Sequence, residues 1–289
     1  MKGRKLATAI VVGFVLAGII MTCLFLLPPF AFIWFIYIFV ILALVELFRA
    51  CRLIGIKIPA VTTAFCAAIV FCCTYLFPRH LCALGVSLFS CLALIALRGA
   101  MAPPDEEESN LNRPVNRLRN ACASLFVGLY LLLLSSFLVL PLAYHTSLIP
   151  YSTEHGMEFM VIFLPALSDI GGLTVGATLG RHKMTPRLSP KKSYEGLAGS
   201  IAFCIIGEMI FWIIFFRSTF AHDWWKAIVV GLCGALAGTV GDLCASVIKR
   251  DVGIKDYGNI IRGHGGVLDR TDSILMAAPF IYFLLILFL

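Results

Sequence analysis

Long apolar runs alternate with short polar segments along most of the chain. Crossing a hydrocarbon core of about 30 Å takes about 20 helical residues. Nine runs approach or exceed that length, at residues 6–27, 30–48, 61–77, 81–97, 121–144, 158–180, 197–216, 227–248 and 273–289. The pattern therefore predicts an all-α polytopic integral membrane protein with about nine transmembrane helices.

The composition supports this prediction. Charged residues make up 13% of the chain, against roughly 25% in soluble domains. The first run follows the basic segment MKGRK but lacks a small-x-small cleavage site, so we expect a retained first helix. The 11 cysteines lie in or beside apolar runs without a C-x-x-C pair, which indicates small core residues rather than zinc ligands.

The basic residues fall mainly on alternate polar segments. With a cytoplasmic N-terminus, Lys and Arg divide 20 to 3 between inner and outer segments, and only Arg79, Arg217 and Lys226 lie outside. The positive-inside rule therefore predicts that the C-terminus is outside. The net charge of +7 then reflects topology and anionic lipid headgroups rather than nucleic acid, because no basic soluble domain is present.

A polar connector, RGAMAPPDEEESNLNRPVNRLRN, divides the chain. We expect an N-terminal transmembrane scaffold of about four helices at 1–98, a cytoplasmic linker at 99–120 and a C-terminal catalytic domain of about five helices at 121–289. Only the last part carries carboxylates well inside predicted spans, at Asp169, Asp242 and Glu208. Such carboxylates usually mark a cavity, a partner or a bound cation.

Glycine spacing indicates how these helices pack. Gly172, Gly176 and Gly180 follow Asp169 at steps of three and four residues, so all four share one helix face. Gly234 and Gly238 form a second small-xxx-small pair just before Asp242. These faces favour close packing that could bring the two aspartates together, although the same glycines could serve packing alone.

Two basic clusters indicate phosphate binding. Lys191 and Lys192 directly precede a helix predicted to begin near Ser193, where cations are unfavourable unless an anion is bound. Farther along, Asp242, Ser246 and Lys249 form one stripe of a helix. Hard carboxylate ligands beside Lys and Arg suit a magnesium–nucleotide site. A basic loop that only sets topology remains the alternative for Lys191 and Lys192.

Two segments, SPKKSYEG and GDLCASVIKRDVGIKDYGNIIRGHGGVLDRTD, resemble the phosphatidate cytidylyltransferase family, also called CDP-diacylglycerol synthases. The family signature reads S-x-x-K-R-x4-K-D-x-G and, after a short gap, H-G-G-x-x-D-R-x-D. The chain matches it at Ser246, Lys249, Arg250, Lys255, Asp256, Gly258, His264, Gly265, Gly266, Asp269, Arg270 and Asp272. The likeness covers the C-terminal 120 residues or so.

The resemblance implies an enzyme that joins CTP and phosphatidate to give CDP-diacylglycerol and pyrophosphate. It implies Mg²⁺ on Asp242 and Asp269, with Asp169 or Asp256 open to a second cation such as K⁺. The implied catalytic residues are Lys249, Arg250, Lys255, Asp256 and Arg270. The implied substrate-binding residues are Ser189, Lys191, Lys192, Ser246, His264, Gly265 and Gly266.

We expect the protein in the inner (cytoplasmic) membrane, with its active site facing the cytoplasm and with membrane lipids as partners. Whether it forms a homodimer is left open. Two alternatives remain. A transporter or channel would explain the intramembrane aspartates but not the cytoplasmic acidic and basic loop. Another CTP-dependent lipid transferase would act on an isoprenoid alcohol or an archaeal lipid phosphate. The pattern D-G-x-x-A-R of enzymes that consume CDP-diacylglycerol is absent.

The charge asymmetry generates a topology prediction. A C-terminal reporter that is active only in the cytoplasm should stay silent, and one that is active only outside should give a signal. The same two reporters fused after residue 120, in the predicted linker, should give the opposite result. A cytoplasmic signal from the C-terminal fusion would contradict the prediction.

Overall fold

A computed structural model describes residues 15, 18–103, 113–143, 151–186, 188–215, 220–258 and 265–288. These residues are largely helical, with one short hairpin. The elements are α1 (Pro29–Leu53), α2 (Ala60–Leu76), α3 (His80–Ala100), α4 (Arg113–Gly128), a π-helical turn (Leu129–Leu133), α5 (Leu134–Ala143), α6 (Tyr151–Leu179), β1 (Lys183–Thr185), β2 (Ser189–Ser193), α7 (Tyr194–Phe215), α8 (Phe220–Val252) and α9 (Leu268–Phe288).

Within these ranges, seven helical stretches are long and apolar enough to cross a membrane. One of them, Pro114–Ala143, runs from α4 through the π-helical turn into α5, whereas α2 is a shorter apolar helix of 17 residues. The predicted all-α polytopic membrane protein is therefore confirmed. Half of the first predicted span, 6–27, lies outside the described residues, so the count of nine stays a prediction.

The chain divides into two compact units. The first comprises the described parts of Met1–Ala143 together with Ile254–Leu268, and the second comprises those of Tyr144–Gly253 and Asp269–Leu289. Helices α4 and α5 pack with α2 and α3, so this division falls later in the chain than the predicted linker at 99–120. The reason is that the apolar run after the linker packs on the helices before it.

The first unit is held by apolar side chains that are almost fully buried, among them Leu44, Leu47, Phe71, Ile95 and Leu131. Polar contacts attach the α1–α2 loop to the start of α4. The side-chain oxygen of Asn120 accepts the Lys57 N–H at 3.1 Å, and Arg119 donates to the Gly55 carbonyl at 2.9 Å. Helix α4 is therefore joined to the rest of this unit by hydrogen bonds as well as by packing.

In the second unit, α6 and α7 approach one another at their glycines. A Cβ atom added to Gly199 would lie 2.7 Å from the Gly171 carbonyl oxygen, and one added to Gly196 would lie 3.0 Å from that of Gly172. Only residues without a side chain allow backbones to come this close. The glycine face that follows Asp169 thus packs on α7, because α7 has its own matching glycines.

Helix α8 packs against α6 and α9. A Cβ atom on Gly234 would lie 2.7 Å from Cδ2 of Leu164 and 3.4 Å from Cγ1 of Ile281. Nearer the end of α8, a Cβ atom on Gly241 would lie 2.7 Å from the Asp272 carbonyl oxygen. This close approach brings Asp242, the next residue, to the first turns of α9.

Candidate active site

The β1–β2 hairpin is fixed to the start of α7. The strands are antiparallel, with Lys183 opposite Ser193 and Thr185 opposite Ser189. The Ser193 hydroxyl accepts the Gly196 N–H at 3.1 Å, which is the usual role of a serine at a helix N-terminus. The predicted helix start near Ser193 is therefore confirmed within one residue.

Glu195, in the first turn of α7, holds the segment that enters the hairpin. Its carboxylate accepts the backbone N–H groups of Arg181 and His182 at 3.2 Å, and its Oε1 lies 2.6 Å from the His182 Nδ1 atom. An acidic side chain is also favoured at this end of a helix. These contacts hold the start of the hairpin close to the α7 N-terminus.

Lys192 projects from β2 toward α8. Its Nζ atom lies 2.9 Å from Oδ2 of Asp242 and donates to the Thr239 carbonyl at 3.3 Å. Successive side chains of a strand point to opposite sides, and Lys191 is exposed. A lysine at this helix start is favourable only with an anion nearby. For Lys192, Asp242 of the same chain is that anion.

A second acid–base pair joins the end of α8 to the start of α9. The Lys249 Nζ atom lies 2.7 Å from Oδ1 of Asp269, with side chains that are 12% and 6% exposed. Lysine is favoured in the last turn of a helix and aspartate in the first. Asp242 and Lys249 lie seven residues apart on α8, so the two pairs occupy one stripe of that helix.

Asp272 is the site residue whose role the sequence analysis does not assign. Its side chain is buried, and Oδ1 accepts the N–H of the adjacent Ser273 at 2.8 Å. Its Oδ2 is buried and has no hydrogen-bond partner among the described residues. Asp272 also lies within electrostatic range of Asp242 and Asp169. The i, i+3 spacing from Asp269 was the available sequence signal.

Asp169 lies at the edge of this group. Ser273 Oγ lies 3.5 Å from Asp169 Oδ1, at the limit of a hydrogen bond. Asp242, Lys192 and Arg270 are all within electrostatic range of Asp169. The second unit thus brings together four aspartates and three basic side chains from the hairpin, α6, α8 and α9. We call these seven residues the acid–base cluster: Asp169, Asp242, Asp269, Asp272, Lys192, Lys249 and Arg270.

Other predicted site residues of the second unit lie on the same elements. Arg250 donates through Nε to the Leu188 carbonyl at 3.3 Å, which joins the end of α8 to the hairpin. Ser246 is largely buried, one turn beyond Asp242. Ser189 begins β2 and is half-buried.

The remaining predicted site residues fall in the first unit or outside the described ranges. Lys255 and Asp256 are exposed, and Gly266 is buried. Gly265 has φ of +90°, a conformation that favours glycine over any residue with a Cβ atom. His264 lies outside the described residues.

The donor atoms of the cluster are suited to magnesium. Among the described residues, no three His, Cys, Asp or Glu side chains already form a group that could hold a metal ion. Mg²⁺, however, is usually bound by one or two carboxylates together with waters and substrate phosphates. Asp242 and Asp269 supply carboxylates, and the buried Oδ2 of Asp272 supplies an oxygen without a hydrogen-bond partner.

A helical membrane protein with acidic and basic side chains gathered in one cluster has the features of a membrane enzyme that handles phosphate groups. The chain belongs to the cytidylyltransferase family, whose model matches residues 7–288. This match confirms the predicted family. It also confirms the prediction that the protein is a nucleotidyltransferase.

Curated relatives support this membership. The chain is 32% identical over 285 residues to a phosphatidate cytidylyltransferase of Mycobacterium leprae, covering 96% of this chain and 86% of the relative. It is 30% identical over 281 residues to the protein of that name in Mycobacterium tuberculosis H37Rv, covering 96% and 81%. A phosphatidate cytidylyltransferase of Bacillus subtilis is 40% identical over 121 residues, covering 42% and 44%.

The Lys249–Asp269 pair leads to a stability prediction. Lys249→Met leaves the Asp269 charge without this partner in a poorly solvated position, and removing one member of a buried pair costs about 3–5 kcal/mol. The double variant Lys249→Met/Asp269→Asn should recover much of that loss. Thermal unfolding of the purified protein in detergent measures both changes. Arg117→Met, at an exposed position of α4, is the control, and equal stability of all variants would contradict the prediction.

Proposed function

We propose that the protein is a phosphatidate cytidylyltransferase. In this reaction a phosphate oxygen of phosphatidate attacks the α-phosphorus of CTP. A new P–O bond forms, the bond from the α-phosphorus to the bridging oxygen breaks, and pyrophosphate leaves. The observation that carries the proposal is the acid–base cluster, in which Asp242 and Asp269 each contact a lysine, in a chain that belongs to the cytidylyltransferase family.

The proposed reaction requires no nucleophilic side chain. Phosphatidate is already an anionic nucleophile, so the protein has to align two phosphate groups and neutralise the charge that develops between them. Lys192, Lys249 and Arg270 are proposed to neutralise that charge. Lys191, exposed beside Lys192, and Arg250, at the end of α8, extend the basic surface on which a triphosphate would bind.

Asp242 and Asp269 are the proposed magnesium ligands, and Asp272 is a further candidate because of its buried oxygen. When held by these carboxylates, Mg²⁺ would supply Lewis-acid stabilisation of the charge that develops on the leaving pyrophosphate. Because Lys192 and Lys249 contact these same carboxylates, the two ammonium groups would turn from carboxylate to phosphate as substrate arrives. A second cation such as K⁺ is proposed to share Asp169 or Asp256.

We propose nine spans with a cytoplasmic N-terminus, in the inner (cytoplasmic) membrane. The proposal is supported by the 20 to 3 division of basic residues, which assigns the hairpin and the end of α8 to the cytoplasmic side. Cytosolic CTP would reach the acid–base cluster from that side, and phosphatidate would reach it from the membrane. A homodimer is compatible with this arrangement.

The decisive experiment uses purified protein, radiolabelled CTP and phosphatidate in detergent. We expect the label to enter a lipid product with one pyrophosphate released per label transferred, and EDTA to abolish both. Parallel reactions contain an isoprenoid alcohol, an isoprenoid phosphate or an archaeal lipid phosphate in place of phosphatidate. Transfer to one of these and none to phosphatidate would contradict the proposed acceptor, and no transfer to any would contradict the function.

The proposed magnesium ligands can be tested with Asp242→Asn and Asp269→Asn. Each change keeps the shape of the side chain but removes its charge, so turnover should fall by about a hundredfold or more. Initial rates across a magnesium titration measure the effect, and size-exclusion profiles check that the variants are folded. Near-normal turnover in both variants at all magnesium concentrations would contradict the assignment.

Lys191 and Lys192 give a separate prediction. Loss of a charge-assisted hydrogen bond to phosphate costs roughly 1.5–3 kcal/mol, or about one to two decades in KM or turnover. Both Lys→Met variants should show this loss, but only Lys192→Met should also alter the magnesium requirement, because only Lys192 contacts Asp242 in the structure. Arg117→Met provides the comparison. Kinetics of both lysine variants that match this control would refute the phosphate-binding role.

A further inference from the structure

Glu46 of α1 is a buried carboxylate that accepts two hydrogen bonds from backbone N–H groups. Its side chain is 0% exposed. Oε1 accepts the N–H of Val267 and Oε2 accepts the N–H of Leu268, each at 2.9 Å. These residues all belong to the first unit. Glu46 is also the sole acidic residue among the first 104 of the sequence.

The two N–H groups lie at the start of α9, which begins at Leu268. The first N–H groups of a helix have no acceptor within the helix, so they need one from elsewhere. A carboxylate is especially favourable there, because it accepts hydrogen bonds and interacts with the positive end of the helix dipole. Glu46 thus caps the helix that carries Asp269 and Asp272.

The same carboxylate lies against Gly258. A Cβ atom at Gly258 would lie 3.0 Å from Cδ and 3.2 Å from Cγ of Glu46, and closer still to Oε1. A glycine here leaves room for the carboxylate. Glu46 therefore contacts both Gly258, two residues after Asp256, and the Val267–Leu268 backbone, which directly precedes Asp269.

We propose that Glu46 is a positioning residue for cytidylyl transfer. Its carboxylate holds the residues on either side of the segment 259–266 and fixes the first turn of α9, so that Asp269 and Asp272 are presented in one orientation. The inference rests on the proposed function, and it gives an N-terminal helix a role beyond that of a scaffold. Glu46 acts through the backbone of Val267 and Leu268 and does not contact substrate.

The test compares Glu46→Gln with Glu208→Gln. In Glu46→Gln, the new side-chain amide would place an N–H donor against a backbone N–H donor, so one of the two hydrogen bonds is lost. Glu208 is also a fully buried carboxylate in a helix, but its oxygens have no hydrogen-bond partner among the described residues. The two changes are chemically identical, and only the first removes a cap of α9.

One measurement needs no substrate. Hydrogen–deuterium exchange of the purified protein should be roughly tenfold faster, or more, at the Val267 and Leu268 amides in Glu46→Gln, because a charge-assisted hydrogen bond is lost. Glu208→Gln should exchange there as the wild type does. Unchanged exchange in Glu46→Gln would overturn the capping step, whichever reaction the protein catalyses.

The second measurement is kinetic. Glu46→Gln should lower kcat by up to about a hundredfold, the effect of a small displacement of a catalytic group, and should raise the magnesium concentration for half-maximal rate. Glu208→Gln should keep wild-type kinetics. A merely structural role would lower the amount of folded protein and leave both constants unchanged per folded molecule, which would overturn the proposal.

A third variant guards against simple misfolding. Gly258→Ala adds a methyl group against the Glu46 carboxylate, so it should impair turnover in the same way as Glu46→Gln. The double variant should be no worse than the more severe single variant, since both act through one contact. Fully additive losses would overturn the coupling. If wild-type protein transfers no cytidylyl group to phosphatidate, the proposed function fails, and the kinetics are then read with whichever lipid acceptor is active.

Discussion

Ionised carboxylates beside hydrocarbon require a compensating charge, and this requirement organises the acid–base cluster. Asp242 obtains it from Lys192 of the hairpin, and Asp269 obtains it from Lys249 at the end of α8. Each pair joins two elements that are separate in the chain. The same contacts that offset the cost of desolvation therefore also set the positions of the hairpin, α8 and α9.

The pairing also bears on how the proposed substrates would enter. A cation alone would have to displace two ammonium groups, and a phosphate alone would have to draw those groups away from their carboxylates. Entry of a metal and a phosphate together satisfies both sets of charges at once. At the proposed site, opposed charges at close range would therefore favour a magnesium–nucleotide complex over either component alone.

Local periodicity accounts for what could be predicted from the sequence. Apolar runs predict the described helices, and the seven-residue spacing predicts the stripe that contains Asp242 and Lys249. Contacts between distant segments have no such signal. The pairing of Lys192 with Asp242 and the packing of the Gly172 face on α7 depend on tertiary structure. The contact between Glu46 and Leu268 joins residues 222 positions apart, and it was therefore invisible to helix periodicity.

The glycine contact between α6 and α7 limits the routes by which a lipid can reach the acid–base cluster. Where Gly171 and Gly172 meet Gly199 and Gly196, the two backbones touch at positions that have no side chain, and Val175, Ser200 and Phe203 pack closely beside them. An acyl chain is about as wide as the side chains that are missing there, so it cannot slide between these helices unless they separate. A diacyl substrate must therefore approach along a different helix boundary, because the interface between α6 and α7 leaves no opening for it.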